Sequence, residues 1–164
     1  MVGDEKLAPL SYVLVVTAVI LRKKSEDGFE ALILKRSAEE KEGPGLWTIP
    51  GGKVEEKDWG TTYQGISVRA IKREVKEETG ITMVNFFLMP QKDCIYIRDK
   101  GKGKPTYIIR FWGLCPYDTQ VKQSKESVAH VWASDTELDA YEFIGNVKGD
   151  ILIAMHEAAF ETVV

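Results

Sequence analysis

The sequence predicts an α+β fold, built as an α/β/α sandwich in which a central mixed β-sheet lies between helices. Segments rich in Val, Ile and Thr recur along the chain and have the composition of β-strands. One helix-forming segment lies between these strands and another closes the chain, with no internal repeat. The predicted strands are 11–22, 30–36, 92–98, 106–114 and 127–133, and the predicted helices cover at least 67–79 and roughly 147–161.

The first predicted strand contains the apolar run YVLVVTAVIL. This run is about half as long as a membrane-spanning helix must be. The residues before it begin with MVGDEK and carry no net positive charge, and no small-residue cleavage site follows it, so it does not match a secretion signal. Its Val, Ile and Thr content instead favours a buried strand. We therefore expect a cytoplasmic protein with no membrane partner.

The bulk composition is that of an ordinary soluble globular protein. The chain has 164 residues, of which 44% are hydrophobic and 29% charged, and its formal net charge is −3. This length suits a single domain spanning 1–164. A mildly acidic chain is a poor match for a nucleic-acid backbone, so we expect no extended nucleic-acid binding. Homodimer formation is left open.

The C-terminal half supplies a predicted hairpin and a helix. Cys94 and Cys115 fall on the two strands of the hairpin, which turns near 99–105 and would place Cys94 opposite about Ile109. The two thiols should therefore not meet, and free buried cysteines are expected. The expected buried face of the C-terminal helix carries Ile151, Leu152, Met155 and Phe160.

Three carboxylates crowd one face of the first helix. In REVKEETG, at 73–80, Glu74 precedes Glu77 and Glu78 by three and four residues, so it neighbours both on the helix surface. Each like-charged pair destabilises a helix by about 0.2–0.5 kcal/mol. Gly80 stands where a C-cap glycine belongs, which puts the acids near the negative end of the helix dipole. A sequence selected only for helix stability would avoid this arrangement.

A glycine turn precedes this helix, in PGGKVEEKD at 50–58. A Pro-Gly-Gly turn lets the backbone approach a ligand closely, and its carbonyls can bind a hard cation. Three clustered carboxylates beside such a turn provide oxygen-only ligation, which Mg²⁺ and Mn²⁺ prefer. Metal binding would therefore turn the repulsion on the helix into ligation.

Together these motifs resemble the Nudix box, G-x5-E-x7-R-E-U-x-E-E-x-G-U, where U is apolar. Gly52 takes the first glycine, and the second half of the box is filled from Arg73 to Ile81 without a mismatch. The preceding GLWTIPGG also resembles the usual approach to the box, and the resemblance extends over nearly the whole chain. It implies a Nudix hydrolase that cleaves the pyrophosphate linkage of a nucleoside diphosphate joined to another group.

One departure concerns the spacing. Twenty residues separate Gly52 from Arg73 where the family pattern has thirteen. Counting forward from Gly52 makes Asp58 the first glutamate of the box, and counting back from Arg73 makes it Gly65. The extra segment is therefore WGTTYQG, at 59–65, or an equivalent shift of it. It would form either an extension of the helix or a looped insertion.

The resemblance also implies roles for individual residues. Glu74, Glu77 and Glu78, helped by the Gly52 carbonyl, would bind Mg²⁺, with Mn²⁺ as a substitute. Arg73 would belong to the catalytic machinery by orienting a glutamate. Glu126 matches a late glutamate that binds metal or serves as base, so Glu126 or Glu77 would be the general base. Glu55 and Asp58 are expected to hold the metal ligands in position without binding the metal themselves.

Substrate contacts are harder to assign. Lys53, directly after the glycines, and Arg110, on an apolar strand, are candidate phosphate contacts, and Trp47 is a candidate for stacking on a base. Ordinary surface or core roles remain open for all three. The expected substrate is an ordinary or oxidised nucleoside triphosphate, with nucleotide sugars, ADP-ribose and dinucleoside polyphosphates as alternatives. The alternatives are a Nudix-fold sensor that binds a nucleotide without turnover and an unrelated acidic-helix protein.

Overall fold

The computed structural model describes residues 11–25, 28–60, 65–83, 85–89, 94–96 and 105–161. Over these ranges a mixed β-sheet is flanked by helices, which confirms the predicted fold class. The strands are β1 (Val13–Ser25), β2 (Gly28–Arg36), β3 (Trp47–Thr48), β4 (Gly51–Lys53), β5 (Phe87–Leu88), β6 (Cys94–Tyr96), β7 (Thr106–Cys115) and β8 (Ser127–Ser134). The helices are α1 (Ile66–Thr79) and α2 (Val147–Glu161), with 3-10 helices at Glu56–Asp58 and Asp135–Ala140.

Strand β1 is central in the sheet. It pairs in parallel with β7 along ten residues and antiparallel with β2 and β4. Strand β2 also pairs with β3 and β8, while β7 also pairs with β5 and β6, all antiparallel. The long apolar strands predicted from composition thus form the middle of the sheet, where both faces are covered.

Two separate cores lie on the two faces of the sheet. Alternate residues of β1 point to opposite faces, as in any strand. Val16, Ala18 and Ile20 belong to the core beneath α1, while Val19 and Leu21 belong to the core beneath α2. The acidic helix α1 therefore lies on one side of the sheet and the C-terminal helix α2 on the other.

The predicted buried face of α2 was wrong at two of its four positions. Leu152 is 41% exposed and Phe160 is 65% exposed. The buried residues recur at intervals of three and four, and a strict stripe of this kind excludes both side chains. The buried stripe of α2 contains Ile151, Ala154, Met155 and Ala158.

The hairpin is shifted by one residue from its prediction. Cys94 pairs with Ile108 rather than Ile109, and Cys115 lies seven positions further along β7. The predicted turn at 99–105 lies almost wholly outside the described residues. No helix in the described part of the chain has both the length and the apolar character needed to cross a membrane.

The segment between the glycine turn and α1 also differs from expectation. Strand β4 ends at Lys53 and Glu56 begins a 3-10 helix, so Glu55 and Glu56 do not continue the strand that leaves the turn. Helix α1 begins at Ile66, directly after Gly65 with a left-handed φ of 73°. A continuous helix through Gly65 is therefore excluded, and residues 61–64 lie outside the described residues.

Candidate functional site

Helix α1 carries the three acidic residues at the boundary between core and solvent. Its apolar side is fully buried at Ala70, Ile71 and Val75, and Glu74 on the same side is only 8% exposed. The helix ends at Gly80, whose left-handed φ of 73° closes the last turn. Packing against the sheet thus holds Glu74 in place and leaves its neighbours on the rim.

The glycine turn lies directly against these carboxylates. A Cβ atom on Gly51 would lie 2.3 Å from the Val16 carbonyl oxygen, and one on Gly52 would lie 2.5 Å from the carboxylate of Glu74. The Gly51 N–H donates a hydrogen bond of 3.2 Å to Oε2 of Glu78. Only glycine allows this approach. The turn and two carboxylates therefore form one compact site.

Arg73 organises the acidic groups around it. Its Nε and Nη2 donate to the two carboxylate oxygens of Asp58, both at 2.8 Å. Its Nη1 donates to Glu74 at 2.7 Å and to Glu77 at 3.1 Å, and Nη2 also donates to the Lys53 carbonyl at 2.9 Å. These contacts raise the pKa of Arg73 further, with the Asp58 hydrogen bond as the largest cause. One guanidinium thus aligns three carboxylates.

Asp58 is the buried partner of this arginine. It is 3% exposed, and it also accepts a hydrogen bond of 2.8 Å from the Glu55 N–H. The hydrogen bond from Arg73 is the main cause that lowers the pKa of Asp58. Asp58 is the residue reached by counting forward from Gly52. The extra segment 59–65 therefore follows Asp58 in the chain.

Glu77 lies at the solvent edge of the site between two cations. Its side chain is 52% exposed, and Arg73 approaches one carboxylate oxygen while Lys57 Nζ lies 3.6 Å from the other. Lys57 also contacts Glu55 at 3.1 Å, and that hydrogen bond is the main cause that raises the pKa of Lys57. Glu77 is thus accessible to water and balanced by positive charge.

Glu78 is held in an environment that disfavours its charge. Burial raises the pKa of Glu78 to about 8, against the opposing hydrogen bond from Gly51. The charges of Glu74 and Glu126 raise it further, and that of Arg36 lowers it. Burial is also the main cause that raises the pKa of Glu74. Glu126 and Arg36 are therefore close enough to act electrostatically on the acidic cluster.

A cleft of about 580 Å³ opens beside Glu126, and its lining includes Arg36, Lys41 and Lys125. Arg36 donates to the Glu42 carbonyl at 2.7 Å and to Glu40 at 3.1 Å. Arg36 was not among the site residues predicted from the sequence. Strand alternation could have found it, because it lies two residues beyond a leucine of the α1-side core on β2.

Two predicted substrate contacts lie away from the acidic cluster. Arg110 points to the α2 side of the sheet and donates from Nε to Asp150 Oδ2 at 2.7 Å. Trp47 packs against the α2-side core, edge-on to Tyr141 with ring centroids 4.9 Å apart. Lys53 is exposed next to the site, with its carbonyl held by the box arginine. Of the three, Lys53 is the one whose backbone contacts the acidic site, through Arg73.

The donor set has the chemistry of a divalent-cation site. It consists of carboxylates and the carbonyl of a glycine that lies against one of them, all of them hard oxygen ligands. Over the described ranges, no three acidic, histidine or cysteine side chains converge closely enough to hold one ion. Glu74 and Glu77 instead face Arg73, and Glu78 faces Gly51. The residues therefore fit a divalent cation in the type of their donors.

Comparisons with known proteins point in the same direction. The NUDIX domain family model matches residues 11–151. No curated protein shows a significant match. Among solved structures, the NUDIX domain of Shewanella oneidensis NrtR, complexed with ADP ribose, is similar with a TM-score of 0.69 at 16% identity, over 94% of this chain and 90% of that one.

Two further solved structures are similar over most of their length. The MutT protein from Methanosarcina mazei Go1 gives a TM-score of 0.64 at 28% identity, over 88% of this chain and 93% of that one. A C. elegans Ap4A hydrolase gives a TM-score of 0.64 at 23% identity, over 93% of this chain and 99% of that one. The family match contains both the glycine turn and the acidic helix. The chain therefore belongs to the NUDIX domain family and is a Nudix pyrophosphohydrolase, an enzyme that acts on phosphoric anhydrides of nucleoside diphosphate-linked substrates.

Proposed function

We propose that this enzyme is a Mg²⁺-dependent hydrolase that cleaves the pyrophosphate linkage of a ribo- or deoxyribonucleoside triphosphate or a related nucleotide. The supporting observation is the network around Arg73, which gathers Asp58, Glu74 and Glu77 beside the glycine turn. A solvated charged helix face would need neither a buried aspartate nor a turn of two glycines. An oxygen-rich, arginine-ordered cluster suits phosphoryl transfer, in which positioning and electrostatics carry the chemistry.

The Gly52 carbonyl and the carboxylates of Glu74, Glu77, Glu78 and Glu126 are the proposed ligands. Bound Mg²⁺ would supply charge neutralisation for the phosphates and a lower pKa for an attacking water. Mn²⁺ would serve as a substitute because it shares the preference for oxygen ligands. Burial of Glu74 fixes one end of this set, while exposure of Glu77 and Glu126 leaves the other end open to water.

Either Glu126 or Glu77 is the proposed general base, because both are exposed to the solvent that supplies the nucleophile. Arg73 is proposed to position Glu74 and Glu77 and not to touch the substrate. Asp58 would hold Arg73 in turn. Glu55 would act through its contact with Lys57, which also approaches Glu77.

The proposed phosphate contacts are Lys53, beside the turn, and Arg36, in the cleft next to Glu126. The charge of Arg36 acts on Glu78, and Lys53 is exposed directly after the glycine turn. Arg110 and Trp47 would contact the substrate only if the nucleotide extended to the α2 side of the sheet. Their roles stay predictions, as do a cytoplasmic location, homodimer formation and the absence of extended nucleic-acid binding.

A phosphate-release panel with Mg²⁺ tests this function. The panel contains ordinary and oxidised nucleoside triphosphates, nucleotide sugars, ADP-ribose and a dinucleoside polyphosphate. Pyrophosphatase in the triphosphate wells releases phosphate from pyrophosphate, and alkaline phosphatase in the other wells releases it from the phosphomonoester products. ADP-ribose and Ap4A belong in it because two similar structures are named for them. The wild type is compared with Glu77→Gln and with Glu142→Gln, an exposed acid elsewhere on the surface.

We expect turnover of a triphosphate that falls about 10²-fold or more in Glu77→Gln and is unchanged in Glu142→Gln. Turnover of another member alone would correct the substrate class. No turnover of any member, with nucleotide still bound in a calorimeter, would refute catalysis and favour a nucleotide-binding sensor of the same fold.

A further inference from the structure

Arg69 reaches back from the first turn of α1 to the segment that follows Asp58. Its Nε donates to the Asp58 carbonyl at 2.6 Å, and its Nη2 donates to the Trp59 carbonyl at 2.5 Å. Both carbonyls stand at the end of the 3-10 helix Glu56–Asp58, where backbone acceptors lack partners within the helix. Charged donors make the stronger class of hydrogen bond. One guanidinium therefore fixes two consecutive peptide units.

The same guanidinium lies against both ends of the extra segment 59–65. Gly60 and Gly65 have left-handed φ angles of 63° and 73°. A Cβ atom built on Gly60 would lie 3.3 Å from Arg69 Cζ, and one on Gly65 would lie 3.5 Å from Nη1. Gly60 and Gly65, on either side of residues 61–64, thus both lie against Arg69 in a backbone conformation that favours glycine.

Arg69 and Arg73 hold Asp58 from two sides. They are four residues apart and therefore neighbours on one face of α1. Arg73 binds the carboxylate of Asp58 through two hydrogen bonds, and Arg69 binds its carbonyl. The position of Asp58 relative to α1 is thus set at both its side chain and its backbone.

The extra segment makes this second contact important. The chain has seven more residues between Asp58 and Arg73 than the Nudix pattern, and a longer connection restrains its ends less. We propose that Arg69 is a positioning residue that compensates for the insertion at 59–65 by fixing Asp58 against Arg73. The inference rests on the proposed function, because Arg73 in turn orients Glu74 and Glu77, which are proposed metal ligands.

Calorimetric titration with Mn²⁺ tests the inference without relying on turnover. The variants are Arg69→Met, Arg69→Lys and, as a matched control, Lys72→Met, an exposed cation on the same helix. Removing an outer partner of a metal site typically lowers affinity by 10–100-fold, so we expect about a tenfold loss in Arg69→Met. Arg69→Lys keeps a donor for one carbonyl and should lose less, and Lys72→Met should bind as the wild type does.

A double-mutant cycle with Asp58→Asn separates positioning from general stability. If Arg69 acts through the Asp58 carboxylate, Arg69→Met should change Mn²⁺ affinity by less than about twofold in the Asp58→Asn background, because interacting sites are not additive. Losses that add fully would overturn the inference, as would an Arg69→Met variant with wild-type affinity. Circular dichroism at the titration temperature establishes that each variant is folded, and Arg69→Lys replaces Arg69→Met in the cycle if the latter unfolds.

The two hypotheses fail in distinguishable ways. Absence of Mn²⁺ binding by the wild type would contradict the proposed metal site and with it the functional part of this inference. Normal wild-type binding with no loss in either Arg69 variant would overturn the role of Arg69 alone. In an active enzyme, Arg69→Met should lower kcat more than it raises KM, because Arg69 is proposed to act through Asp58 and Arg73 and not on the substrate.

Discussion

Glu78→Gln should stabilise the metal-free protein at high pH. Glu78 accepts a hydrogen bond from the Gly51 N–H, and burial raises its pKa to about 8. Glutamine has the same shape and keeps a carbonyl that can accept this bond, but it cannot ionise. The substitution therefore removes the buried charge and leaves the packing in place.

The magnitude follows from the two pKa values of Glu78, 4.5 as the ordinary value and about 8 in the folded protein. The folded state binds the Glu78 proton more tightly than the unfolded state does, and this proton binding stabilises the fold. The stabilisation is fully present below pH 4.5 and is lost as the pH rises through 8. At about 1.4 kcal/mol per pH unit, the loss reaches about 3 kcal/mol at pH 7 and about 5 kcal/mol above pH 8. Glu78→Gln should escape this loss.

Urea denaturation in EDTA at pH 5, 7 and 9 measures the effect. The free energy of unfolding of the variant minus that of the wild type should rise across this series, since every other titrating group is common to both proteins. Glu142→Gln, an exposed acid, serves as the control and should show a constant difference. A difference for Glu78→Gln that stays constant from pH 5 to 9 would refute the assignment of a buried, proton-binding Glu78.

Two further predictions concern other contacts. Gly52→Ala should displace Glu74, because the new Cβ would lie 2.5 Å from its carboxylate, and Mn²⁺ affinity should fall about tenfold or more in calorimetry; Gly28→Ala, which meets no atom within 4 Å, is the control, and equal affinities would contradict the prediction. Arg110→Met should lower the free energy of unfolding by about 3–5 kcal/mol in urea, because it leaves the carboxylate of Asp150 buried without its cation. A loss below about 1 kcal/mol, the range of exposed ion pairs, would show that this pair is solvated.

Much of the fold could be predicted because its main elements are long and periodic. Strand β1 and helix α1 each contain more than ten residues, enough for composition and spacing to separate strand from helix. Strands β3, β4 and β5 have two or three residues each, too few to show any period. They form because a neighbouring strand offers unpaired backbone groups, and this depends on the tertiary fold.

Helix α2 shows a second limit, the choice of the buried face. Apolar residues surround much of this helix, so spacing alone allowed more than one stripe. Contact with the sheet selected the stripe that includes Ile151 and Met155, and small alanines on that stripe allow close approach. Leu152 and Phe160 remain at the surface because, among the described residues, the sheet packs against the other side of the helix. Individual exposed apolar side chains are normal in globular proteins.

The acidic cluster could be predicted because its members are local in sequence, with all three carboxylates within five residues on one helix. Contacts between residues that are distant in sequence could not be predicted in this way. Examples are Arg36 near Glu78 and the hydrogen bond of Arg110 to Asp150. Each of these pairs joins two elements whose relative position follows from sheet topology. Sequence spacing therefore identified the helical site, and the fold brought Arg36 to it.

The position of the insertion depends both on spacing along the sequence and on contacts in the fold. Counting along the chain left Asp58 and Gly65 as equal candidates for the first acid of the box, and counting has no means to choose. The contacts of Arg73 distinguish the two candidates. Its Nε and Nη2 each donate to one carboxylate oxygen of Asp58, and a glycine has no side-chain oxygen to accept them. Once Asp58 occupies that place, the seven extra residues must follow it in the chain. Arg69 binds the carbonyls of Asp58 and Trp59, where these residues begin. The departure from the family spacing and the extra arginine contact are thus two consequences of one insertion.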